Sequence, residues 1–167
     1  MATLPILKYP APELRKRCDA VTERTDAFAQ LVADLIETME SLPGCVGLAA
    51  PQVGALWRVV VVDVSRYRKK VESQGRLVLV NPVLKSSSGS KVFREGCLSL
   101  PSYTANVTRA TFTEFEALDE SLQPRTVRAR DFESVAIQHE VDHLDGTLFI
   151  DRVVCPKTDL FLRKSYL

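Results

Sequence analysis

The sequence predicts an α+β fold built on antiparallel sheet. Strand-like runs follow one another through the middle of the chain, joined by short turn-rich links. Helical periodicity is confined to a segment near the N-terminus and another towards the C-terminus. Parallel neighbours would need a crossover, usually a helix, between successive strands, and none is patterned here.

The first helix is signalled by Thr25 or Asp26 as a cap, followed by Phe28, Leu31, Val32, Leu35, Ile36 and Met39 on one face and ended by Pro43-Gly44. Strand-like runs come next at Arg58 to Val64, Leu77 to Leu84, Val92 to Leu98, Ala110 to Leu118 and Pro124 to Arg130. Between them, Ser86-Ser87-Ser88-Gly89-Ser90 reads as a hairpin tip, and Arg66-Tyr67-Arg68-Lys69-Lys70 as a solvated basic loop. The last clear helix opens at Asp131, an N-cap type of residue. It sets Phe132, Val135, Ala136 and His139 at helical spacing, with Gly146 as its stop, so its histidines face inward.

At 167 residues the chain reads as one domain, 1–167, large enough to bury about 70% of its unfolded surface without staples. A formal net charge of +1 argues against strong attraction to nucleic acid or to a membrane surface. No apolar run approaches the ~20 residues of a membrane span, and the opening Met1-Ala2-Thr3-Leu4-Pro5 lacks a basic n-region before an apolar core. The 4 cysteines, at 18, 45, 97 and 155, form no C-x-x-C pair. A reducing, cytoplasmic compartment fits; an organellar chain with its transit peptide trimmed is the alternative.

The chain has only 2 histidines, and both fall in His139-Glu140-Val141-Asp142-His143. Positions i and i+4 share a helix face, so both imidazoles can grip one cation while Glu140 reaches a water on it. A divalent cation brings the pKa of bound water towards neutrality, and Glu140 can move its second proton to a departing amine. A catalytic site usually takes a third protein ligand. In HExxHxxGxxH the third is a histidine, but Phe149 stands at that position; no glutamate follows Glu140. That leaves Asp145, Asp151, Asp159 or a residue upstream.

Upstream stand Gly47-Leu48-Ala49-Ala50-Pro51-Gln52-Val53-Gly54 and Arg94-Glu95-Gly96-Cys97-Leu98-Ser99-Leu100-Pro101. Together with Gln138-His139-Glu140-Val141-Asp142-His143-Leu144-Asp145-Gly146 they resemble the signature motifs of the peptide deformylase family, in the same order and at similar separations. The resemblance runs from Ile6-Leu7-Lys8-Tyr9-Pro10 to about Arg152. It implies antiparallel β-sheets packed around a central metal-binding HExxH helix, with the N-terminal helix and a short C-terminal helix within Pro156 to Leu167.

The resemblance also implies roles. Cys97, His139 and His143 would hold one divalent metal, Fe2+ in the family, with Zn2+, Ni2+ or Co2+ able to replace it. Glu140 would be general acid/base, with metal-bound hydroxide as nucleophile. Gln52 and the backbone N–H of Leu98 would form the oxyanion hole. Val46, Gly47, Gly96 and Cys45 would line the substrate groove, and an acidic residue two before the cysteine would pair with an arginine twelve after it, here Glu95 and Arg109.

The implied reaction removes the formyl group from the N-terminal methionine of nascent chains and releases formate. Partners would be N-formylmethionyl peptides and, near the exit tunnel, the ribosome, towards which Lys157, Arg163 and Lys164 point as basic residues; no specific nucleic acid and no membrane are implied. The chain departs from the family pattern at Cys45, where a glycine is usual, and at Thr104, where some members carry arginine. The competing readings are an HExxH endopeptidase, which would need neither Cys97 nor Gln52, and a catalytically silent binder, for which Cys45 is the best support.

Overall fold

A computed structural model describes residues 2–163. The run of four valines Val59–Val62 forms strand β2, with every residue at 0% exposure. Alternate side chains of a strand point to opposite faces, so a strand buried throughout must be covered on both sides. Val60 and Val62 pack beneath the second long helix with Ile137 and Leu144. Val59 and Val61 face the first helix with Phe28, Leu35 and Met39.

The sheet between those layers has the order β1-β2-β3-β6-β7. Its strands are β1 (Gly47–Ala49), β2, β3 (Leu77–Ser88), β6 (Phe112–Leu118) and β7 (Pro124–Arg130). All pair antiparallel, as expected from the short links. A smaller antiparallel sheet, β4-β5-β8, is made of β4 (Lys91–Cys97), β5 (Leu100–Arg109) and β8 (Leu160–Leu162).

Helix α1 (Asp26–Ser41) starts where Thr25 accepts a hydrogen bond from the Phe28 N–H at 3.1 Å, so Thr25 is the cap and Asp26 the first helical residue. Helix α2 (Asp131–Leu144) ends at Gly146 as its sequence requires. The Gly146 N–H bonds the His143 carbonyl at 3.2 Å and the Thr147 N–H bonds that of Asp142 at 3.0 Å, the double closure of a Schellman turn. Gly146 has φ +72°, and a Cβ there would come 2.5 Å from the Arg15 carbonyl oxygen, so only glycine fits.

Some readings are corrected. Ser86–Ser88 are the end of β3, paired with Phe112–Glu114 of β6. The chain then crosses to the other sheet, so no hairpin forms there. Strand β5 was not anticipated: its regularly buried positions are Ala105, Val107 and Arg109, and an alternation that includes alanine and arginine carries little hydrophobic signal. The short C-terminal helix is a single turn, α3 (Pro156–Asp159), and runs directly into β8. Among the described residues no helix is long and apolar enough to cross a membrane.

Candidate metal centre

Helix α2 is the element that aims the site. Its register is fixed at the turn before β6: Ser134 donates to the Ala110 carbonyl at 3.0 Å, while Gln138 both donates to that carbonyl at 2.9 Å and accepts from the Ala110 N–H at 3.2 Å. The next residue, His139, and His143 one turn beyond it present edge-to-face rings with centroids 5.3 Å apart.

Cys97 arrives from the other sheet, at the end of β4. The β4–β5 register shifts between Gly96, paired with Thr104, and Cys97, paired with Leu100. The Cys97 Sγ lies 3.4 Å from His143 Nε2, and the ligand atoms of Cys97, His139 and His143 all fall within 4.8 Å of one another. Downstream Asp145 and Asp151 are committed elsewhere, in ion pairs with Arg58 and Arg15. A thiolate and two imidazoles are a donor set suited to a divalent transition metal. Burial alone would raise the Cys97 pKa, but the facing His143 and His139 imidazoles outweigh it and hold the thiol well below its usual range.

The imidazoles are themselves held. His139 Nδ1 lies 2.8 Å from Glu95 Oε1, which turns Nε2 towards Cys97. Glu95 is gripped by Arg109 through two bonds, 2.7 and 2.9 Å, and Arg109 reaches on to Asp142 at 2.7 Å. Burial would push Glu95 up, yet the bonds from Arg109 and His139 hold it at about 2. The Glu95–Arg109 pair expected from the resemblance therefore exists, and the metal-site atom it touches is on His139. Glu95→Gln should weaken divalent-metal binding about tenfold to a hundredfold by loosening that imidazole; unchanged affinity in chelator competition would show that Glu95 does not orient His139.

Glu140 is 6% exposed, and its Oε2 has no hydrogen-bonding partner among the described residues. Burial pushes its carboxyl up to about 7, against the opposing pull of His139 and His143. Gly47 of β1 is what lets it lie there, because a Cβ on Gly47 would come 2.6 Å from Glu140 Oε1. Gln52 sits in the turn after β1, 2% exposed. Its Oε1 accepts from the Ala49 N–H at 3.0 Å, which fixes the amide so that Nε2 faces Cys97 Sγ at 3.5 Å and Ser99 Oγ at 3.2 Å. These residues open onto a cleft of about 320 Å³.

A model of the polypeptide deformylase family matches residues 3–159. The chain belongs to the polypeptide deformylase family. A peptide deformylase of Thermodesulfovibrio yellowstonii is 40% identical over 98% of this chain and 97% of its own length, and peptide deformylase 2 of Vibrio vulnificus is 42% identical over 98% and 94%. Among solved structures, a Legionella pneumophila peptide deformylase superimposes with TM-score 0.84 at 36% identity over 93% of this chain and 89% of that one. The Ehrlichia chaffeensis peptide deformylase in complex with actinonin gives 0.86 at 30% identity over 94% and 92%. The deformylase family is one of metalloenzymes, and the Cys97, His139 and His143 donors fit a metal of that kind.

The residues that the deformylase motifs single out meet at one place. Cys97, His139, Glu140, Gln52, Leu98, Val46, Gly47, Gly96 and Cys45 all line the cleft, and His143 lies directly beneath it at 1% exposure. Cys45 is 7% exposed; its thiol donates to the Gly47 carbonyl at 3.2 Å and packs into the core beneath α1. Sequence reasoning gave no role to Ser99 and Asp142, although both lie within the deformylase motifs, nor to Arg66, which lies in no motif. Of the basic residues read as facing the ribosome, Lys157 is exposed, Arg163 lines the cleft, and Lys164 lies outside the described residues.

Proposed function

We propose that this chain, as one catalytic domain over residues 1–167, hydrolyses the N-formyl group from the N-terminal methionine of nascent polypeptides and releases formate. The observation that carries the reading is the joint placement of the Gln52 amide and the Glu140 carboxylate beside the Cys97–His139–His143 triad in one cleft. An HExxH endopeptidase would need neither the thiolate nor the amide.

Cys97 Sγ and the Nε2 atoms of His139 and His143 would hold one divalent cation, Fe2+ by family expectation, with Zn2+, Ni2+ and Co2+ acceptable to the same donors. When bound, the cation makes a water nucleophilic near neutral pH. Glu140 takes the second proton of the attacking water and delivers it to the amine that departs from the formyl carbon. Gln52 Nε2 and the Leu98 N–H face the oxygen on which negative charge builds; both are neutral donors fixed before reaction begins, and loss of one typically costs about a hundredfold or more.

Both sheets end at the cleft. β1 is an edge strand of the large sheet and β4 of the small one, and Gly47 and Gly96 of these strands both line the cleft. A substrate backbone entering as an added strand would lie between these two edges, with Val46 and Gly47 on one side and Gly96 on the other. Cys45 supports the Val46 and Gly47 side from behind. The 4 free cysteines support a reducing, cytoplasmic setting.

A formylated methionyl peptide tests this directly. Formate and an intact peptide with a free amine are expected. Cleavage at internal bonds without formate would instead support an endopeptidase.

A further inference from the structure

The segment Arg66–Lys70, which in sequence reads as a solvated basic loop, reaches the cleft at Tyr67. Arg66 donates from Nε to the Cys45 carbonyl at 3.2 Å and from Nη2 to that of Glu40 at 2.9 Å. It thus ties the turn Val64–Arg66 to the end of α1 and to the wall that carries Val46 and Gly47. The Asp63 N–H bonds the Val46 carbonyl at 2.8 Å, and the Asp63 side chain caps Ser65 at 3.1 Å. The residue that follows, Tyr67, is held by its N–H on the Val64 carbonyl at 3.1 Å, and its ring lies on Phe132 at 4.4 Å between centroids, tilted by 30°.

The cleft follows one face of α2. His139, Ala136, Val135 and Phe132 all line it, spaced as i, i−3, i−4 and i−7. Two helical turns separate His139 from Phe132, about 10 Å along the axis at 1.5 Å per residue. This is close to the reach of a formyl group followed by an unbranched side chain of methionine's length. Phe93 lines the cleft as well, so its walls are aromatic and aliphatic with Tyr67 at the Phe132 end. A thioether suits such walls, because it is flexible and makes favourable contacts with ring edges.

We infer that Tyr67, stacked on Phe132, closes the side-chain pocket for the first residue of the substrate and is a specificity-determining residue of this chain. The inference rests on the deformylase reading. Tyr67 touches none of the groups assigned to proton transfer or to the oxyanion, and its ring acts through the length of the pocket.

The experiment compares formyl-methionyl and formyl-phenylalanyl peptides on the metal-loaded enzyme, as wild type, Tyr67→Ala and Tyr67→Phe. Changes of pocket volume of this kind shift discrimination by about 10–200-fold. Tyr67→Ala should lower the methionine-to-phenylalanine ratio of kcat/KM by at least about tenfold, through a raised KM for the methionyl peptide with kcat within about twofold. Tyr67→Phe should keep the wild-type ratio, because the ring remains. If Tyr67→Ala fails to fold, as judged by thermal unfolding, Tyr67→Leu reads the same ratio. An unchanged ratio in a folded variant overturns the role of Tyr67. Absence of formate from every peptide with metal-loaded wild type would overturn the deformylase reading itself, a distinguishable result.

Discussion

Glu140→Gln should bind metal as tightly as the wild type and lose turnover by about 10²–10⁴-fold, the usual contribution of a positioned proton carrier. Glutamine has nearly the same shape, so its packing against Gly47, where a Cβ would come 2.6 Å from Glu140 Oε1, should persist. The amide cannot accept a proton from water and return it to an amine. Its loss is felt in the transition state alone, so kcat and kcat/KM should fall together with KM little changed. Elemental analysis and formate release on the same sample check this. Near-wild-type turnover, in protein free of host enzyme, would remove Glu140 from the chemistry.

Cys97→Ala should lose both metal and activity. The thiolate is 6% exposed and 3.4 Å from His143 Nε2, so its removal takes away one of the three donors that lie within 4.8 Å of one another and leaves two imidazoles. Because the ligands come from separate sheet and helix elements, bound metal also stabilises the fold, and the increase in thermal stability on adding metal should vanish in this variant. Full occupancy in Cys97→Ala would mean that the cation is held without this sulfur.

Much of this site was legible because its signals are local. The spacing of His139 and His143 follows from one helix, Gly146 stops that helix by a turn only glycine allows, and Thr25 caps α1 by reaching three residues ahead. What was not legible depends on contacts between distant segments. Cys97 meets His143 across 46 residues and Glu95 meets His139 across 44, and without the family resemblance no periodicity points to either pairing. The buried Arg109 masks β5, since a strand that hides a guanidinium against Glu95 and Asp142 does not read as hydrophobic alternation. Arg66 and Tyr67 sit in a run of basic residues whose composition says solvent, yet one braces the cleft wall and the other stacks on Phe132.

The most direct test is to strip the protein of metal and titrate it with a divalent cation while following formate release from a formyl-methionyl peptide. Activity should be absent at the start and rise in proportion to added metal. It should level off at one cation per chain, with the same break in Cys97 thiolate absorbance. Formate release independent of metal, or none at full occupancy, would contradict a deformylase centre built from Cys97, His139 and His143.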